Sequence, residues 1–194
     1  MIQNVTGEER KQVVIWQADF APSLETLDLT RSADLIHVDS IVQGVADGQV
    51  FRMRYQFHLN LDWTVISLHL TELPGFNGVD LYPKEATRSW STSSFLYELD
   101  DLNDCPLIDI SFTPFTNTLA IKQLKLEVGQ SADLRALYIE SPTLGFRVSE
   151  QRYERLSQFE YRYTGLGSGF TAVITVDQDD LVVKYQGLFT RRFL

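Results

Sequence analysis

From Phe51 to Asp62 the chain alternates without a break. Phe51, Met53, Tyr55, Phe57, Leu59 and Leu61 share one side, and Arg52, Arg54, Gln56, His58, Asn60 and Asp62 share the other. Successive side chains of a strand point to opposite faces, whereas a helix would scatter this pattern around its circumference. The run therefore predicts a long antiparallel strand with an apolar face toward a core and a polar face toward water. Asp47-Gly48 just before it is a hairpin signal, because both residues accept positive φ. Shorter alternations recur over Val13–Ala18, Leu27–Leu29, Leu35–Val45, Thr64–Leu70, Phe95–Leu99, Leu134–Glu140 and Leu144–Ser149. They continue through Phe159–Tyr163, Phe170–Val176 and Leu181–Phe189, with turns at Gly165–Gly169 and Asp177–Asp180. Glu150–Gln158 fits a helix or a strand, and the meander that follows favours the strand. Leu73–Ser94, rich in Pro, Gly, Ser and Thr, reads as a loop carrying small strands and rimming the molecule. With 12 Phe, 8 Tyr and 3 Trp in 194 residues, the expectation is one all-β domain, residues 1–194, built as a barrel, roll or sandwich.

One stretch breaks the alternation. Asp109–Val128 opens as a strand with Ile110 and Phe112 on one face and Asp109, Ser111 and Thr113 on the other. It closes as a second, with Leu124, Leu126 and Val128 alternating against Gln123, Lys125 and Glu127. Between them, Thr113-Pro114 is a helix-start signal, since a threonine oxygen accepts orphan amides and proline tolerates the first helical position. A short helix from about Pro114 to Leu119 is predicted. Thr113, Thr116, Asn117 and Thr118 set four hydrogen-bonding side chains beside Phe115 and Leu119. Such groups commonly cap the turn they sit in. The alternative is that they line a cavity and aim polar atoms at a ligand.

Cys105 followed by Leu107–Leu124, containing Asp109-Ile110 and Thr113-Pro114-Phe115-Thr116-Asn117-Thr118-Leu119 with Ile121 and Leu124 beyond, resembles the signature of the Putative glycolipid-binding family. Two positions depart from it: Ala120 replaces the family's usual proline, and Lys122-Gln123 replace an arginine pair, which removes bidentate guanidinium geometry. Gln151–Tyr153, Tyr161–Tyr163, Gly169-Phe170, Val176-Asp177 and Leu181–Arg192 are similar to its closing strands, and Trp16, Asp62-Trp63 and Trp90 to its earlier ones. The resemblance implies a many-stranded, mainly antiparallel sheet curled as a spiral β-roll or open barrel around one short central helix. It further implies a tight homodimer and a likeness to bacterial lipoprotein carriers.

The net charge of −9 disfavours nucleic acid and anionic membrane surfaces, which demand basic patches. No window reaches a membrane span and the N-terminal residues lack an apolar core of signal-peptide length, so the expected placement is cytoplasmic, without an integral membrane segment. A single cysteine, Cys105, excludes an internal disulfide. His37, His58 and His69 sit on predicted strands without ligand spacing, so no metal or cofactor is expected. Asp100, Asp101, Asp104 and Asp109 could pair for hydrolysis, but an acidic turn accounts for the first three, leaving Asp109 as the candidate of interest. Gly165–Gly169 joins two strands and lacks the helix that would bind phosphate.

What remains is aromatic. Phe51, Tyr55, Phe57, Phe159, Tyr161, Tyr163, Phe170 and Tyr185 would line the concave side of a curled sheet, either around a cavity or simply filling it. The leading expectation is non-catalytic binding of a hydrophobic or amphipathic, glycolipid-like ligand. Its contacts would come from Asp109, Thr113, Phe115, Thr116, Asn117, Thr118, Leu119, Tyr55, Phe57, Tyr161 and Tyr163, with the 73–94 segment gating entry. An enzyme acting on a sugar or lipid derivative through Asp109, and a structural homodimer with a packed interior, are the competing readings.

Overall fold

The computed structural model describes residues 9–46, 48–75, 77–93, 102–140 and 143–193. The strands are β1 (Arg10–Ala18), β2 (Ser23–Arg31), β3 (Ile36–Ala46), β4 (Gln49–Leu59), β5 (Val65–Glu72), β6 (Gly78–Lys84) and β7 (Ser89–Thr92). Then follow β8 (Leu107–Ile110), helix α1 (Phe115–Leu124), β9 (Ser131–Glu140), β10 (Gly145–Arg155), β11 (Glu160–Gly165), β12 (Thr171–Val176), β13 (Val182–Tyr185) and β14 (Phe189–Arg192). All form one 14-stranded sheet in the order β7-β6-β5-β4-β3-β2-β1-β14-β13-β12-β11-β10-β9-β8. Neighbours are antiparallel except β8 and β9, which run parallel because α1 carries the chain across between them.

The alternation of β4 is realised: Phe51, Met53, Tyr55, Phe57 and Leu59 are all buried. The strand ends at Leu59, however, and Leu61 is exposed. Asp62 Oδ1 accepts from the Thr64 amide and hydroxyl, and the Asn60 amide donates to the Thr64 carbonyl, so a local polar turn outcompetes the strand pattern. Glu150–Arg155 is strand, paired in β10 with β9 and β11. The 73–94 segment is more regular than expected, supplying β6 and β7 to one end of the sheet with a 3₁₀ turn at Glu85–Thr87. The strand expected over Phe95–Leu99 and the Asp100-Asp101 turn lie outside the described residues.

The helix also runs past its expected end. It continues through Ala120 to Leu124, closing on Lys125 in the left-handed region, so the strand expected over 124–128 does not form. Alanine at 120 has the amide hydrogen that proline lacks, and the helix runs on until the Lys125 amide donates to the Ile121 carbonyl at 3.3 Å. Phe115 through Ile121 are all buried, on every side of the helix. A helix buried all round must be enclosed. Phe115 packs against Tyr55 and Phe57 of β4, while Asn117 bonds Tyr153 of β10, far along the sheet order. One helix can touch both only if the sheet curls around it. Near the ends of the sheet, the Asp104 amide donates to the Thr87 carbonyl and the Trp90 indole to the Cys105 carbonyl.

Phe115 is the hub of this plug, in ring contact with Tyr55, Phe57 and Trp63 and with no exposed surface. Replacing it by alanine should lower stability by about 3–5 kcal/mol, read as an earlier urea midpoint with little change in slope.

Candidate functional site

The pairing register of β8, β9 and β10 sets Asp109, Tyr138 and Arg147 side by side in one row. The Arg147 guanidinium lies 4.0 Å from the centre of the Tyr138 ring. Asp109 Oδ2 accepts from Gln151 Nε2 at 2.6 Å, and Oδ1 from Thr116 Oγ1 at 3.1 Å. Burial pushes the Asp109 carboxyl above its ordinary range, against those two hydrogen bonds and the Arg147 charge, which pull it down. Among the described residues each carboxylate oxygen has one side-chain donor, which leaves it further acceptor capacity.

This row forms one wall of a cavity of about 750 Å³. Thr113 and Asn117 reach it from the start of α1, and Arg135, Ser149 and Glu150 add polar groups. The lining also carries an aromatic cluster: Tyr163, Phe170 and Tyr185 touch one another with centroids 5.8 to 6.4 Å apart. Burial raises the phenols of Tyr138, Tyr163 and Tyr185, so each stays a neutral hydroxyl able to donate and accept. The Gly-rich loop expected only to join two strands contributes Gly165, Gly167 and Ser168 to the rim. At Gly165 an added Cβ would stand 2.7 Å from Ser168 Oγ, so the bare backbone lets the loop fold against its own strand.

Behind Thr113 lies a second polar cluster. Glu25 Oε1 accepts from Ser40 Oγ at 2.8 Å, from Thr113 Oγ1 at 2.9 Å and from the Tyr55 hydroxyl. Thr113 Oγ1 also receives the Phe115 amide at 3.0 Å, which fixes the entry to α1. Glu25 is buried, and Oε2 has no partner among the described residues. Desolvation raises its carboxyl to about 7, opposed by the three hydroxyl donors. Among the described residues no three metal-ligating side chains converge, and Cys105 is buried with its thiol pushed up by that burial.

A model of the Putative glycolipid-binding family matches residues 13–191. The chain belongs to that family. It is also similar to the crystal structure of a DUF1089 family protein from Pseudomonas aeruginosa, with 34% identity over 89% of this chain and 93% of that one and a TM-score of 0.76. No curated protein matches the chain.

Within this member of the glycolipid-binding family, the structure brings four of the sequence-derived candidates to the chamber wall: Asp109, Thr113, Asn117 and Tyr163. Thr116 stands behind the wall, holding Asp109. Tyr55, Phe57, Phe115, Thr118 and Leu119 are buried in the packing around the helix, and Tyr161 is buried away from the chamber with Arg155 over its ring at 5.5 Å. The described residues of the 73–94 segment contribute nothing to the chamber lining. Lys122 and Gln123, at the family's arginine pair, turn instead to Asp180 and to the Trp63 carbonyl. The cations of the chamber are Arg135 and Arg147, which no motif marked. Glu25 was missed, although counting back by two from Leu29 and Leu27 would have put a carboxylate on the buried face of β2.

The raised Glu25 carboxyl has a signed consequence. The native state holds that proton more tightly than the unfolded chain, so unfolding releases it between pH 4.5 and about 7. Stability should therefore fall as pH rises through that window, by on the order of 3 kcal/mol, and level off above it. Glu25→Gln should remove this component of the pH dependence, as seen in urea midpoints measured from pH 4.5 to 8.

Proposed function

We propose that this protein binds an amphipathic, glycolipid-class ligand without transforming it, holding the ligand's polar group in the 750 Å³ chamber. The observation that carries this reading is the composition of the chamber: a carboxylate with spare acceptor capacity and two guanidinium groups share its lining with a cluster of three rings. Sugar rings present hydroxyls at their edges and C–H groups on their faces, which suits a lining that mixes polar groups with aromatic rings. The volume lies within the range of about 300–1,000 Å³ usual for small-molecule sites. Family membership supports the ligand class. Acidic and basic side chains are mixed on the wall, Asp109 and Glu150 with Arg135 and Arg147, which favours a neutral polyhydroxyl group over a strongly charged one. We infer a homodimer alongside it, supported by Leu24 and Val50, exposed on an apolar outer groove; light scattering after gel filtration measures that state.

Protein purified without detergent should carry an amphiphile visible in native mass spectrometry. Asp109→Asn keeps the shape of the wall while removing its charge, and should weaken retention about tenfold or more, the cost of a lost charge-assisted hydrogen bond. Equal retention by both proteins would remove Asp109 from the site; no bound or rebinding amphiphile in either would sink the proposal.

A further inference from the structure

A second hollow, of about 460 Å³, adjoins the polar chamber. The two share Ser111, Tyr138, Leu188 and Phe189 as a common wall. Beyond that wall the chemistry changes. Phe20, Ala46, Phe51 and Phe112 line the second hollow, and Glu140, the one charged group of its lining among the described residues, is exposed. Phe20 is an aromatic residue 60% exposed, meeting Phe189 edge-on with centroids 5.7 Å apart. An apolar trough beside a polar chamber, with shared lining residues between them, suits a molecule with a polar head and one hydrocarbon tail.

We infer that this trough is the tail site: a single alkyl chain leaves the chamber past Tyr138 and Phe189 and lies over Phe112 and Phe51 toward Phe20. The inference rests on the binding reading above and adds a direction to it. The four lining residues shared by the two hollows put the trough directly beside the chamber, which favours the chain of the chamber's own ligand over a separate molecule as its occupant. Glu140 at the trough disfavours an ionised carboxylate there, so the uncharged end of the chain occupies it. The tail does not lie against Tyr55, Phe57 and Leu119, whose side chains are buried in close packing around the helix.

Calorimetric titration with methyl, n-octyl and n-dodecyl β-D-glucoside, all below their micelle concentrations, tests this. In the unaltered protein each added methylene that reaches the trough should raise affinity about fourfold. Ala46→Phe, which puts a ring into the trough and obstructs it, should erase most of the dodecyl advantage and leave methyl glucoside binding unchanged. Phe20→Ser, at an exposed position, should reduce the same advantage and keeps the test available if the larger side chain does not fold. Glucosides that bind and respond to Asp109→Asn, yet keep their full chain-length dependence in both trough variants, would overturn the tail site while leaving the chamber reading intact. A protein that binds none of the three would overturn both.

Discussion

Glu25 ties together parts of the chain that the sheet alone leaves far apart. Its carboxylate takes hydrogen bonds from Ser40 on β3, Tyr55 on β4 and Thr113 at the entrance to α1, the last of these 88 residues away in sequence. Cross-strand register puts Ser40 directly opposite both Leu27 and Tyr55, so the three polar groups of β2, β3 and β4 meet on the buried face. A carboxylate in that position costs solvation, which the cluster of hydroxyl donors partly offsets. The same Thr113 hydroxyl that reaches Glu25 also receives the Phe115 amide. The start of the helix is thereby fixed to the first half of the sheet.

From that anchor the interior divides. On the side of β4 the helix is packed solid: Phe115 stacks on Tyr55 and fits between Phe57 and Trp63. On the side of β8, β9 and β10 space remains, and the groups that border it are polar or amphipathic. Asn117 marks the boundary, lining the chamber while bonding the buried Tyr153 hydroxyl at 2.8 Å. The packed half holds the helix rigidly, so that Thr113 and Asn117 present fixed polar atoms to the open half. Binding groups set on a buried helix and on paired strands lose little conformational freedom when a ligand arrives.

Strand identity was legible because alternation is a local property. Phe51 through Leu59 announced their face, whereas Glu25 was passed over although the same count reaches it from Leu29 and Leu27. The helix was legible as to its start and not its end. Gln123 and Leu124 fit the alternation that runs on to Val128 as well as a helical pattern, and the structure puts them in the last turn of the buried helix. Sequence placed Tyr55, Phe57 and Tyr163 together as concave aromatics, yet two of these fill the core and one faces the chamber. Nothing in a single chain distinguishes a ring that packs from a ring that borders a void.

The sequence by itself determined an all-β chain interrupted by one short helix, because period and turn chemistry act over a few residues. Its motif pointed to the family through Asp109 and the Thr113–Leu119 run. Only the tertiary structure decided that Asp109, Tyr138 and Arg147 form a row, since that depends on how β8 and β10 register against β9. The curl of the sheet decided the rest. Where the helix fills the interior there is a core, and where it does not there is a chamber, a difference of volume that no local pattern encodes.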